Sequence, residues 1–494
     1  MKRTPGKPSK FILFFNSAQN CLFNARPAPL LRSISVVGMV VVLAMPLMQG
    51  RARAELATTK AADQNPAQAQ APPASLTQPA ATQPTVTQPT VAAAPETASA
   101  YALPPEKLAK AIALGRIRNL MYFISTVWGF AVLWILLASG WAAGLAGWTE
   151  RTVRRWWIQG LLFFAMLLLI TSVADLPISA IGNAVSRHFG ISVQGWPSWL
   201  GDQGKGLGLT VLFGAPILLL FNAIVRRWPR RYWLGIWLVT LPLIVLTIFG
   251  EPLLAPLFNK FEPLTQHNPA LVLELEKVVA RTRTAIPPQR MFLMKASEKT
   301  NGLNAYVSGI GATKRIVVWD TTAGRIPNDE VLFIFGHESG HYVLHHIPKM
   351  LFGTAFGSFF VFWIGAGLAG WLLARWGARW HTESLASRQG MVVLLLSLSM
   401  ISFLGTPISN AFSRYFEHEA DVYGQEAIQG IVADPQKATV ASFNDLGQAW
   451  LEDPHPNPVI EFWLFGHPSV SRRADFARRY NPWAKGGRGQ FFDR

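Results

Sequence analysis

Cysteine is all but missing from this chain: Cys21 is the single one among 494 residues. An internal disulfide is therefore impossible and a thiolate metal site is excluded, so any metal must be held by histidine and carboxylate side chains. Charge is scarce as well. Asp, Glu, Lys and Arg make up 15% of the residues, too few for an ordinary soluble enzyme, and acidic residues are outnumbered 28 to 45, which leaves a formal net charge of +17. Apolar residues take up the difference, at 50% of the chain with 19 Trp, and a lipid bilayer is the expected surroundings. The positive surplus does not imply a nucleic-acid partner, because the Arg residues gather in short loops beside apolar runs, where anionic lipid headgroups account for them.

The first 54 residues read as an export signal or an uncleaved N-terminal anchor. A basic stretch ends at Arg32, an apolar core covers 34–48, and Ala52-Arg53-Ala54 offers a small-x-small cleavage site. Residues 55–104 are rich in Ala, Pro, Thr and Gln, with Thr-Gln-Pro recurring at Thr77, Thr82 and Thr87, a linker composition that cannot bury a core. A surface helix over 104–118 is expected to lead into a membrane domain over 105–258 with four spans, at 120–147, 156–174, 207–225 and 232–250. Two further spans, 350–374 and 390–406, form a transmembrane hairpin within 350–406. Arg151, Arg154 and Arg155, then Arg226, Arg227, Arg230 and Arg231, then Arg375, Arg379 and Arg388 occupy loops that fall on one side. The positive-inside rule puts that side in the cytoplasm, and 259–349 with 407–494 on the periplasmic or exterior face of a bacterial inner membrane.

Chemistry enters at His337-Glu338-Ser339-Gly340-His341, an H-E-x-x-H run. On a helix, residues four apart share a face, so two imidazoles can hold one Zn²⁺ while the adjacent Glu338 faces the open coordination position. Pro327-Asn328-Asp329-Glu330 supplies a helix start with acidic residues in the first turn, and Pro348 is expected to stop the helix. His345 and His346 are read as residues near its end that interact with the helix dipole. Ahead of it, a helix over 269–284 and strands near 290–295, 304–308 and 315–318 make a small soluble domain. A catalytic zinc needs a third protein ligand, and Glu417 and Asp421, four apart in S-R-Y-F-E-H-E-A-D, can share one face of a second helix, Glu417 toward metal and Asp421 behind a ligand histidine. The competing reading of that pair is a solvated acidic face.

Taken with Pro256-Leu257-Phe258-Asn259-Lys260-Phe261-Glu262-Pro263-Leu264, Asn304-Ala305-Tyr306, and His467-Pro468 with Arg473, these motifs resemble the type I CaaX prenyl endopeptidases, integral-membrane zinc metalloproteases of the gluzincin type, over roughly residues 101–480. The resemblance implies a mainly α fold: a polytopic transmembrane helical bundle with a small α+β zincin-like domain, its halves 259–349 and 407–494 split by the hairpin. It implies one Zn²⁺ per chain on His337, His341 and Glu417, Glu338 as general base and Asp421 supporting a ligand. Asn304, Ala305 and Tyr306 would lie on a strand edge that pairs with an extended peptide, and His467 and Arg473 would sit where an oxyanion forms. The reaction, hydrolysis of peptide or protein substrates, is carried over; the prenylated substrate is not, since prenylation is cytosolic. Two other functions compete: a non-catalytic membrane protein that binds peptides or unfolded chains through the same strand edge, and a transporter with an incidental metal site. The second predicts ionisable residues within the spans, which contain almost none.

Overall fold

The computed structural model describes residues 99–309 and 311–492. The expected export signal over 1–54 lies outside them, as does the expected linker up to residue 98. The polypeptide begins with α1, Pro105–Ala138, a single helix that merges the expected surface helix with the first span. The helix does not continue to residue 147. The helix ends at Ser139, Gly140 takes a left-handed φ of 75°, and a separate short helix α2, Trp141–Thr152, follows. Next come α3, Trp156–His188, α4, Trp196–Arg227, and α5, Tyr232–Leu254. Beyond the soluble segment lie α8, His346–Trp376, and α9, Arg388–Ala427.

Among the described residues five of these helices, α1, α3, α4, α8 and α9, are long and apolar enough to cross a bilayer, whereas the span expected over 232–250 appears in α5 as a shorter apolar stretch, Tyr232–Thr247. Their outer faces carry large exposed apolar side chains such as Leu120, Val127, Leu212, Trp363 and Leu404, as lipid requires. The Arg-bearing loops meet at one end of the bundle, where Arg388 pairs with Glu150 at 2.7 Å and the Arg226 guanidinium lies over Trp156.

At the opposite end the chain leaves the bundle to build a four-stranded sheet in the order β1-β2-β4-β3. The strands are β1, Phe261–Pro263, β2, Met291–Met294, β3, Ala305–Ser308, and β4, Arg315–Trp319, with α6, Pro269–Thr282, between the first two. Three strands fall where the sequence predicts them; β1 does not, being three residues long and ending in proline, which strand patterning disfavours. β2 pairs parallel with β4, and β3 pairs antiparallel with β4 as the sheet's last strand. Trp319 N donates to Asn304 O, so 304/319 and, two residues on, 306/317 are the hydrogen-bonded pairs. Ala305 and Val307 consequently aim their backbone groups away from β4.

The sheet is also pinned to the membrane helices. The connection between α3 and α4 bridges to the loop after β2 at Ser192 and Thr300, and Lys299 Nζ reaches the buried Asp202 of α4 at 2.6 Å. The helix α7, Asn328–Val343, carries H-E-S-G-H and is buried on nearly every side over its middle turns, packed by Val331, Leu332, Phe333 and Phe335. It ends earlier than the sequence suggests. Leu344 caps it, His345 turns left-handed at φ 58°, and α8 starts at once. Pro348 therefore does not stop α7 but sits in the first turn of α8, where its missing N–H would have had no helical partner. The last three helices are α10, Pro435–Trp450, α11, Pro458–Leu464, and α12, Val470–Arg479.

Candidate active site

The candidate site forms where α7 crosses α9. Glycine makes the crossing close: an added Cβ at Gly424 of α9 would stand 2.7 Å from the His337 backbone N, and one at Gly336 of α7 would stand 3.0 Å from Gly424 O. Gly340, one turn on, lets the Tyr423 ring in to the same depth. With the backbones this near, His337 and His341 on α7 face Glu417 and Asp421 on α9. The expected second helix around 413–421 is not separate; it is the continuation of the last span across Pro407 into one 40-residue helix.

His337 Nε2 and His341 Nε2 are 3.1 Å apart. Glu417 completes the group, with Oε2 3.3 Å from His337 Nε2 and Oε1 3.7 Å from His341 Nε2. Ligands placed tetrahedrally at about 2.0–2.1 Å from a zinc-sized ion lie about 3.3 Å from one another, so these three edges fit such a cation. All three residues are buried, and among the described residues they form the single group of His, Cys, Asp and Glu side chains arranged to hold a metal. Two imidazoles and a carboxylate are also the donor chemistry that leaves a fourth position open.

The rest of the constellation stands behind or beside these three. His337 Nδ1 is 2.9 Å from Asp421 Oδ1. Arg473, in the first turn of α12, grips Asp421 with two bonds, Nε to Oδ2 at 2.9 Å and Nη2 to Oδ1 at 2.6 Å, and reaches Glu417 Oε2 only at 3.8 Å. Burial acts to lower the Arg473 pKa, yet Asp421 and Glu417 hold it above its ordinary value. His467 Nε2 is 3.0 Å from Glu417 Oε2. Its loop is held by Arg414, which donates to Phe465 O at 2.6 Å, and by Ser469 N, which donates to Glu461 Oε1 at 3.0 Å. Glu338 is half-buried on the cavity wall.

Burial pulls the His337 pKa down, but the hydrogen bonds to Asp421 and Glu417 outweigh it and raise it to about 9. Burial dominates at His341, whose pKa lies well below its usual value despite the Glu417 charge. A cation between the two rings would meet the preference for positive charge that the Asp421 and Glu417 carboxylates create at His337.

The site opens on a cavity of about 1040 Å³ that extends from His337 and Glu338 to Tyr122, Asn183 and Gln203 of the membrane helices. Asn304, Ala305 and Tyr306 line it, so β3 faces the same space as Glu338, and so do His467 and Arg473. His455 lines it too, from the loop before α11, whereas His418 packs its ring on Phe476. The sequence reading missed His346, which begins α8 rather than closing α7 and stands 3.1 Å from His341. The signal available was its place two residues before Pro348, which marks a helix start as readily as a stop.

Residues 266–481 match the family model described as peptidase family M48, and residues 85–260 match that described as CAAX prenyl protease N-terminal, five membrane helices. An uncharacterized metalloprotease of Bacillus subtilis, YhfN, is 34% identical over 378 residues, which are 76% of this chain and 87% of that protein. CAAX prenyl protease 1 of Saccharomyces cerevisiae is 25% identical over 339 residues, 64% of this chain and 71% of that protein. The crystal structure of Ste24p from S. mikatae superposes with a TM-score of 0.63 at 22% identity, covering 75% of this chain and 88% of that one, a likeness of fold.

Proposed function

This chain belongs to peptidase family M48 and is a multi-pass membrane metalloendopeptidase, and from that premise we propose that its metal is one Zn²⁺ held by His337, His341 and Glu417, with Glu338 as the general base. The carrying observation is the closeness of the three donor atoms, each within 4.8 Å of the others, inside a buried site that opens on the cavity wall bearing Glu338. Bound there, the metal supplies Lewis acidity, polarising the scissile carbonyl and acidifying the attacking water. Glu338 takes the proton of that water and returns it to the leaving amine nitrogen, so no covalent enzyme intermediate is needed. His467 donates to the oxygen that gains negative charge as the carbonyl carbon becomes tetrahedral. Arg473 contributes its positive charge there, while its hydrogen bonds are committed to Asp421, which fixes His337 with Nδ1 protonated and Nε2 toward the metal.

An extended peptide adds to the sheet along β3, pairing with the outward backbone groups of Ala305 while Asn304 and Tyr306 flank it. The relatives named CAAX prenyl proteases suggest a substrate delivered from the membrane. The Arg loops at the far end of the bundle argue for a bacterial inner membrane with the site toward the periplasm, and hence for a substrate other than a prenylated cytosolic protein. No nucleic-acid partner is part of this reading. The purified protein should carry one zinc per chain and cleave an unfolded reporter, lose cleavage to a chelator and regain it with zinc. Glu338→Gln should keep the zinc and lose about 10²–10⁴-fold in turnover. Cleavage by that variant at the wild-type rate would refute the assignment of the base.

A further inference from the structure

The two histidines of the metal centre are backed differently. Behind His337 stands the Asp421 carboxylate, clamped by Arg473. Behind His341 stands another imidazole: His341 Nδ1 is 3.1 Å from His346 Nδ1, and His346 Nε2 is 3.2 Å from Glu419 Oε2. Tyr415 OH in turn donates to Glu419 Oε1 at 3.2 Å. The His346 side chain is wholly buried, its ring 4.8 Å from that of Phe416.

We propose that His346 and Glu419 are positioning residues that set the tautomer and aim of His341, a relay that rests on the reading of His341 as a metal ligand. The proton positions follow from the donor inventory. The Glu419 carboxylate accepts, so the proton of neutral His346 lies on Nε2. His346 Nδ1 is then a lone pair, and the hydrogen bond to it requires the proton of His341 on Nδ1. That leaves His341 Nε2 as the lone pair pointing at His337 Nε2 and Glu417, as a ligand needs. A carboxylate one imidazole removed from His341 thus dictates which of its nitrogens is available.

The backbone break between α7 and α8 is what makes the relay. Five positions along an uninterrupted helix, residue 346 would lie about 140° around from His341, off its face. His345 instead adopts a φ of 58°, a conformation that residues with a Cβ seldom take, and α8 restarts with His346 turned back against the His341 ring.

The test uses the full-length protein in lipid nanodiscs, with zinc affinity read by competition against a chromophoric chelator and ligand geometry by the visible spectrum of the cobalt-substituted protein. His346→Leu should weaken zinc binding about 10–100-fold and alter the cobalt bands. His346→Asn, whose Oδ1 replaces the Nδ1 acceptor, should recover most of the loss. Glu419→Gln, which can donate as well as accept, should weaken binding in the same direction. Wild-type affinity in a folded His346→Leu variant, even with lowered thermal stability, would overturn the relay. Should His346→Leu not fold, Glu419→Gln decides: weaker zinc supports the relay and unchanged zinc refutes it. A wild-type protein that binds no zinc, or that keeps it in Glu417→Ala, would instead bring down the ligand assignment itself and the relay with it.

Discussion

Replacing Gly424 by alanine pits two effects of opposite sign against each other. Helix propensity alone favours the change by about 1 kcal/mol. The new Cβ, however, would stand 2.7 Å from His337 N, 2.9 Å from His337 Cα and 3.1 Å from His337 Cβ, where non-bonded carbon contacts settle at about 3.5–4.0 Å. The obstacle is helix backbone, which cannot swing aside as a side-chain tip can, so α7 and α9 must part by roughly 1 Å. Overpacking of this kind costs about 1–3 kcal/mol. Because the metal closes across this crossing, a penalty felt by the metal-binding arrangement appears as about 5–150-fold weaker zinc. If the helices relax beforehand, it appears as a lower melting temperature of the metal-free protein. Chelator competition and thermal unfolding of metal-free and metal-loaded protein together capture both shares. Gly405→Ala on the same helix is the control, since a Cβ there meets nothing within 4 Å; it should be neutral or stabilising. A Gly424→Ala protein that matches Gly405→Ala in both measurements would refute the claim that this glycine contact sets the spacing of the metal ligands.

Arg473→Gln removes the charged two-point grip on Asp421 and should weaken zinc about 10–100-fold by the same competition assay while Glu338 remains in place. Glu330, buried in the first turn of α7, has its pKa raised to about 8, first by burial and then by the charge and hydrogen bond of Asp445. A carboxyl that holds its proton more tightly folded than unfolded stabilises the fold fully below its unfolded pKa of 4.5, and that contribution is lost as pH rises through about 8. Thermal stability of the wild type should therefore decline between pH 5 and 8 more steeply than that of Glu330→Gln; parallel pH profiles would count against the raised pKa.

The elements that carry periodicity were legible in the sequence: the span helices, α6, α7 and three of the four strands. His337 and His341 on α7, and Glu417 and Asp421 on α9, were legible as same-face pairs from their helical spacing, but spacing left the acidic pair open to a solvated face, and only the family resemblance joined the two pairs into one donor group. What escaped was set by breaks and crossings. Whether Pro348 stops one helix or starts the next depends on the left-handed turn at His345, which has no compositional mark. The last span was expected to end at 406 and a second helix to follow, yet α9 continues through Pro407 as one helix. Nothing in the sequence sets Gly336 and Gly424 apart from other glycines; only the crossing gives them a partner. The expected oxyanion role of Arg473 likewise rested on motif alone, whereas its geometry ties it first to Asp421.

Helix α9 starts at Arg388 and carries Glu417 near its far end, a lever of about 44 Å at 1.5 Å per residue. Each degree by which this rod tilts about its start swings the carboxylate by roughly 0.8 Å, several times the ~0.2 Å latitude of a metal–ligand distance. Pro407 lacks the N–H that would tie the rod's upper third to its lower part, which makes that point the compliant one. Hydrocarbon thickness biases the tilt of a spanning helix, within the range that packing against its neighbours allows. The expected outcome is that acyl-chain length of the surrounding lipid shifts turnover of the reconstituted protein, alongside substrate and pH.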